Sequence, residues 1–242
     1  MIPKIIHQTC QNPAKLDSQT LDNIAFLKAN NPGWEHRLYS DEEALAYFHE
    51  HLAPDDLRTL QRLNPKYNVV LADLLRYLVI FNEGGVYLDI KSTAQRPLDH
   101  VLKPEDSFLL SQWPNKLGQI APGAGLYPEL VRVPGGEFQQ WHVIAKARHP
   151  FLSNVIRNAL FNCAHFNIGW FGVGKIGVLR LTGPICYTQA IAPLLSLYHH
   201  RFVDSAAIGL HYSIFSTRGN PRPQEQDPAH YSQQHEPIFS ST

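Results

Sequence analysis

The sequence predicts an α/β layered domain, and three observations predict it. Apolar runs of strand length alternate with segments whose apolar residues recur at helical spacing, in the order β-α-β-α from Lys4 onward. Helix start and stop signals fall between those runs, as in Ser40 with Glu43 and in Gly84-Gly85. The chain has 242 residues, enough for one domain with a substantial core.

Taken in order, Lys4 to Thr9 reads as a first buried strand, with the polar His7-Gln8-Thr9 at its carboxyl end. Leu21, Ile24, Phe26 and Leu27 form a helical stripe that Asn31-Pro32-Gly33 ends. Glu35 to Tyr39 is a second strand, and the Ser40/Glu43 capping box opens a helix through His51. Asp55 to Leu63 is a short helix, and Pro65 precedes a helix over Val69 to Phe81 that is apolar on most sides. Gly84-Gly85 ends that helix, because glycine accepts the left-handed conformation of a C-cap. Val86 to Ile90 is a buried strand.

Beyond Lys91 the pattern loosens. Phe108 to Ser111 and Trp141 to Ala145 read as strands, with a Gly- and Pro-rich loop from Trp113 to Gly136 between them. Pro150 starts a helix carrying Phe151, Leu152, Val155, Ile156 and Leu160. Thr182-Gly183-Pro184 opens another, to about Leu197, with Thr182 as its N-cap and Pro184 near its first position. Phe202 to His211 is strand-like. Residues 1–218 read as a single domain and 219–242, rich in Pro and Gln and poor in aliphatics, as a loosely ordered tail.

Composition excludes some functions. The 21 basic and 21 acidic side chains cancel, so there is no electrostatic case for nucleic acid as a partner. Thirteen histidines make the net charge sensitive to pH between about 6 and 7. Cys10, Cys163 and Cys186 are odd in number and lack metal-like spacing, which fits a reduced, cytoplasmic setting. The start of the chain is unlike a signal peptide, and Val69 to Phe81, which contains Asp73 and Arg76, is well short of the roughly 20 residues of a spanning helix. A soluble protein is expected, with peripheral attachment to the inner face of a membrane left open.

The chemistry concentrates in Ala72-Asp73-Leu74-Leu75-Arg76-Tyr77 and Gly84-Gly85-Val86-Tyr87-Leu88-Asp89-Ile90-Lys91. Asp73 and Arg76 are three apart and share a helix face. Charges on so apolar a helix are expensive unless paired or functional. Asp89 sits at the carboxyl end of a strand, where open α/β sheets keep their ligands, and Lys91 points to the same side. An internal ion pair beside a surface Lys is the competing, purely structural reading.

Those two segments, together with Ile2-Pro3-Lys4-Ile5-Ile6-His7-Gln8-Thr9 and Asn31-Pro32-Gly33-Trp34, resemble the glycosyltransferases with a DXD sugar-binding region. That superfamily includes fungal Golgi mannosyltransferases, capsule and lipopolysaccharide sugar transferases and large glucosylating toxins. His149-Pro150-Phe151 and Thr182-Gly183-Pro184 fit as well, so the likeness runs in order over residues 2–215. It implies a GT-A, Rossmann-like fold with a mixed, mostly parallel central sheet flanked by helices. It also implies a nucleotide-sugar donor (a UDP- or GDP-sugar), hexosyl transfer with retention, and a saccharide or glycolipid acceptor in cell-surface polysaccharide or lipopolysaccharide synthesis.

Carried over by position, Asp73 resembles the carboxylate that contacts ribose or donor sugar, and Arg76 the residue that reaches the sugar or diphosphate. Asp89 resembles the first Asp of the DXD motif; Asp89, Lys91 and Arg76 are the expected catalytic groups. His7, Gln8, Thr9 and Tyr87 complete the expected donor-binding set.

Two departures matter. Lys91 stands where the second Asp, the family's direct metal ligand, is normally found. Either its ammonium replaces the ion at the diphosphate, or a weaker Mn²⁺ or Mg²⁺ site survives through Asp89 and His211. A degenerate, inactive site is the third reading. Cys10 stands where the family commonly has a Trp resembling a base-stacking ring, worth about 1–3 kcal/mol, which leaves the base open.

His199-His200 and His230/His235 lack ligand spacing and read as solvated, while Gln139, Gln140, Trp141 and Glu137 are candidates for an acceptor pocket. Two other classes compete with a transferase. A binding module would hold a nucleotide-sugar or glycan without turnover, and a glycoside hydrolase would use two carboxylates without needing Arg76 and Lys91 beside them.

Overall fold

The computed structural model describes residues 1–215 and 230–240. The chain opens with β1 (Ile5–Thr9), α1 (Ser18–Asn30), β2 (Glu35–Tyr39), α2 (Asp41–His51) and α3 (Pro54–Leu60). It continues through α4 (Val69–Glu83), β3 (Gly85–Leu88), β4 (Thr93–Ala94), α5 (Leu98–Val101), β5 (Phe108–Leu110) and β6 (His142–Ala145). Four helices follow, α6 (Pro150–Ala164), α7 (Ile168–Phe171), α8 (Gly174–Leu181) and α9 (Pro184–Ile191), and then β7 (Arg201–Phe202) and β8 (Leu210–His211).

The central sheet has the order β2-β1-β3-β6-β5-β7. β1 is parallel to β2 and β3, and β5 is parallel to β7; β6 runs against both β3 and β5. Every strand but β6 therefore points the same way. β4 and β8 form a separate antiparallel pair. This is the α/β layering that the sequence pattern predicts and the mixed, mostly parallel sheet flanked by helices that the resemblance implies.

Strand alternation builds two cores. Ile6, Val86, Ile144 and Leu109 lie in register across the sheet and face one side, where they pack with Leu27, Leu98 and Trp141. Tyr87, Val143, Ala145 and Phe108 face the other, against α4, α6 and α9. Gly84 and Gly85 let β3 enter between its neighbours. Their φ angles are 73° and 107°, and a Cβ on Gly85 would lie 2.6 Å from the Ile5 carbonyl oxygen. The Ser40/Glu43 capping box forms in both directions at the start of α2.

Several expectations are corrected. The helix beginning at Pro184 stops at Ile191, and its N-cap is Gly183 without a side-chain bond. Thr182 does not cap it, because its hydroxyl donates to Asp73 instead. The expected strand over 202–211 is two short strands in different sheets. Part of the predicted tail is packed. Ile238 and Phe239 are buried in the main core, the Asn64 amide donates to the Ile238 carbonyl at 2.9 Å, and Phe239 bridges to Leu63. These apolar contacts anchor a segment whose composition alone reads as loose. The rest of that predicted tail, 219–229 and 241–242, lies outside the described residues. All three cysteines are free, and among the described residues no helix is long and apolar enough to cross a membrane.

Candidate active site

Helix α4 and the end of β3 build the charged centre. One helical turn separates Asp73 from Arg76, and their side chains meet at 3.3 Å. The same guanidinium reaches Asp89 Oδ1 at 3.2 Å, donates to the Gln140 carbonyl at 2.9 Å and lies over the Tyr87 ring at 4.9 Å. Asp89 is placed by its backbone. Its amide donates to the Trp141 carbonyl at 2.8 Å, and its own carbonyl accepts from Ser92 N and Gln8 Nε2. The Tyr87 hydroxyl donates to Asp89 Oδ1 at 3.3 Å. Asp73 is held from the far side of the fold by Thr182 Oγ1 at 2.8 Å and by Gln140 Nε2 at 3.3 Å.

These groups lie on the wall of a cavity of about 460 Å³. Asp73, Arg76, Asp89 and Lys91 line it together with Trp113, Tyr127, Glu137, Gln139, Gln140, Trp141, Lys175, Tyr212, His230 and Tyr231. Lys91 Nζ lies 5.5 Å from the centre of the Tyr212 ring.

Burial and pairing compete at this centre. Burial raises the Asp73 carboxyl pKa above the usual range, and Arg76 and the Thr182 hydroxyl pull it back only in part. Burial opposes the charge on Arg76, but Asp89, Tyr87 and Asp73 outweigh it, so the guanidinium stays charged. The Asp89 side chain keeps 20% of its surface, which leaves it accessible to a ligand while paired.

The donor set does not fit a protein-held divalent cation. Asp89 Oδ1 already meets a guanidinium and a phenol, and an ammonium lines the same cavity. Among the described residues no three His, Cys, Asp or Glu side chains cluster as a metal site. His211, expected as a ligand, pairs with Thr93 in the β4–β8 ladder and is absent from the cavity wall, where its neighbour Tyr212 stands instead.

Three expected donor-binding residues also sit elsewhere. His7 is fully buried, bonded to the Tyr39 hydroxyl and the Gly84 carbonyl, and burial pushes its pKa down to about 4. Gln8 is fully buried too, spanning His36 and the Asp89 carbonyl, and is not on the cavity wall. Thr9 uses its hydroxyl on the Tyr39 carbonyl and is not on the cavity wall. Strand β1 lies between β2 and β3, so its alternate side chains point into packed layers. Tyr87 is buried and acts on the site through Arg76 and Asp89.

Sequence reasoning missed Lys175, Trp113, Tyr127, Tyr212 and Tyr231, and it read His230 as solvated although His230 lines the cavity. Lys175 belongs to α8, which the glycines at 172, 174 and 177 conceal as helix. The aromatic residues carried a signal, since Trp113 and Tyr127 flank a Gly-rich loop, but nothing local ties that loop to Asp89.

Comparison with known proteins agrees with this architecture. The model of the glycosyltransferase sugar-binding region containing DXD motif matches residues 17–109, which include Asp73, Arg76, Asp89 and Lys91. The fold is of the GT-A class. The PaToxG glycosyltransferase superposes with a TM-score of 0.55 over 81% of this chain and 70% of its own, at 16% identity. The glycosyltransferase domain of the YGT toxin does so with a TM-score of 0.50 over 88% and 82%, at 8% identity. Among curated proteins, the initiation-specific alpha-1,6-mannosyltransferase of Schizosaccharomyces pombe is 25% identical over 83% of this chain and 50% of its own length. Inositol phosphoceramide mannosyltransferase 3 of the same organism is 31% identical over 65% of this chain and 37% of its own. Residues 17–109 are thus similar to the sugar-binding region of glycosyltransferases with a DXD motif, and the chain spans half or less of the length of these two relatives.

Proposed function

We propose that this chain transfers a hexose from a UDP- or GDP-sugar to a glycan or lipid-linked saccharide, with retention at the anomeric carbon. The names of the relatives favour mannose. The observation that carries the proposal is one guanidinium divided between Asp73 and Asp89 on the wall of a cavity that Lys91 also lines.

The chemistry asks for that set. When the sugar–phosphate bond breaks, negative charge grows on the leaving diphosphate oxygen while the sugar ring takes on oxocarbenium character. Arg76 and Lys91 supply positive charge for the first, and the carboxylates of Asp73 and Asp89 accept hydrogen bonds from sugar and ribose hydroxyls. Donor binding gives the Arg76 guanidinium a third anionic partner, for which its present contacts at 3.2 and 3.3 Å leave room to rearrange. In a front-face displacement the leaving phosphate itself takes the acceptor proton, so catalysis rests on orientation and charge stabilisation. Lys91 serves here as the cation facing the diphosphate, in the place of the relatives' second motif Asp.

A donor panel tests this. UDP- and GDP-hexoses incubated with the chain and mono- or disaccharide acceptors should release nucleoside diphosphate, and EDTA should leave the rate unchanged. Tight nucleotide binding with no release from any donor would overturn the enzyme in favour of a binding module. Loss in EDTA with full recovery in Mn²⁺ would overturn the role given to Lys91.

A further inference from the structure

Three carboxylates line the cavity among the described residues, and Arg76 accounts for two of them. The third, Glu137, is only 7% exposed. Its Oε1 accepts a hydrogen bond from the Trp113 indole N–H, while its Oε2 is buried with no hydrogen-bond partner. The indole N–H of Trp141, on the same cavity wall, is buried and without an acceptor as well. Two residues of one cavity wall thus each carry a buried polar atom without a partner, one an acceptor and one a donor. A folded protein tolerates this arrangement at a cost, and a small shift of either side chain toward a bound ligand relieves it.

The surrounding loop is built to hold Glu137 there. Gly125 has φ of +72°, and a Cβ on it would collide with Glu137 Cγ and lie 3.0 Å from Trp113 Cδ1. The Glu137 amide donates to the Gly125 carbonyl at 2.9 Å. Asn115 Nδ2 ties the two sides of the loop, donating to the carbonyls of Ala124 at 2.8 Å and Gly135 at 2.9 Å. The Trp113 and Trp141 rings both contact Tyr212, at 5.2 and 5.6 Å between centres, and Tyr212 in turn meets Lys91. The Glu137 end therefore joins the charged centre through a run of aromatic faces.

We propose that Glu137 and Trp141 form the acceptor subsite. Glu137 Oε2 accepts a hydrogen bond from one hydroxyl of an uncharged saccharide, the Trp141 indole N–H donates to another oxygen of that sugar, and the aromatic rings carry its C–H face. A hydroxylated ligand is the class that supplies donor and acceptor side by side. An anionic ligand is disfavoured beside the Glu137 carboxylate and belongs at Arg76 and Lys91. The assignment rests on the transferase reading above and names the substrate class for the other half of its cavity.

The test uses the whole chain, GDP-mannose and UDP-glucose as donors, and methyl α-mannopyranoside, methyl α-glucopyranoside and α-1,6-mannobiose as acceptors. Calorimetry measures GDP and UDP binding, and nucleotide release is followed with and without acceptor. E137Q and W141F should each raise the acceptor KM at least tenfold while nucleotide Kd stays within twofold. An unchanged acceptor KM overturns the assignment, and so does a nucleotide Kd that rises in parallel, which puts Glu137 in the donor half. If E137Q fails to fold by circular dichroism, W141F alone decides the matter through the same two readouts. Donor hydrolysis by the wild type that none of the three saccharides accelerates overturns the acceptor class and leaves the donor reading standing. A wild type that binds neither nucleotide, or releases none from either donor, overturns the transferase reading and this inference with it.

Discussion

At the β7 edge of the sheet, Arg201 meets Asp106 through two bonds, Nε at 2.7 Å and Nη2 at 2.6 Å, one to each carboxylate oxygen. At the carboxyl end of β3, Arg76 is divided between two carboxylates at 3.3 and 3.2 Å. Both carboxylates that lie within the packed fold, Asp106 and Asp73, are almost fully buried. Asp106 is nevertheless satisfied: burial pushes its pKa up, but Arg201 and the Lys103 amide outweigh it and hold the carboxyl below its ordinary range. Asp73 ends above that range, because burial raises it further than the shared Arg76 guanidinium and the Thr182 hydroxyl pull it back. A closed, bidentate pair is architecture. Under the transferase reading proposed above, a shared, longer one keeps charge in reserve for a ligand.

That contrast can be broken from either side. The largest effect is expected from Asp106→Ala, which leaves Arg201 without its carboxylate and only the Val101 carbonyl to bond. It should destabilise the fold by about 3–5 kcal/mol in urea titration while kcat per folded molecule is unchanged. Loss of activity with unaltered stability would put Asp106 in the wrong class. Asp89→Asn should shift the balance toward activity, lowering the transfer rate by about 10²–10³-fold. Its loss of stability should be smaller than that of Asp106→Ala, because Asp73 still pairs with Arg76. Thermal melts beside a nucleotide-release assay read both. Smaller again is Thr182→Val, which strips the hydroxyl from Asp73 and should lower stability by about 1–3 kcal/mol by denaturant midpoint.

The pH dependence is the finest discriminator. The folded pKa of Asp106 lies below the unfolded value of about 3.9, so its stabilisation is complete above that value and is lost as pH falls through the folded pKa. Asp73 has the opposite sign. Its folded pKa is raised, so the unfavourable contribution is full above the folded pKa and is relieved as pH falls toward about 3.9. Denaturant midpoints measured against pH should therefore lose part of their acid limb in Asp106→Asn. In Asp73→Asn they should lose part of the decline seen as pH rises above about 4. Identical profiles in the two variants would remove the electrostatic distinction between the pairs.

The site was legible to different depths in different residues. Asp73 and Arg76 could be paired from a spacing of three, and Asp89 could be put at a strand's end from Gly84-Gly85 and the apolar run after it. His7 and Gln8 show where the same reasoning stops. They are polar residues on a strand that leads toward the site, yet β1 lies inside the sheet and their side chains are spent on Tyr39, Gly84, His36 and the Asp89 carbonyl. Ile238 and Phe239 were misread from composition, because a Pro- and Gln-rich segment gives no sign that they reach the core. His230 was read as solvated for want of ligand spacing, which carries no information about the cavity it lines.

The sequence by itself determined the alternation of strands and helices, the face that Asp73 and Arg76 share, and the end of the strand that carries Asp89. All three follow from periodicity and local backbone preference, which act over a few residues. Only the tertiary structure decided that Thr182, 109 positions from Asp73, supplies its hydrogen bond, and that Glu137, Trp141 and Lys175 wall the same cavity. Those contacts depend on which layer covers which strand end, and that is set by burying two apolar faces at once rather than by any pattern along the chain.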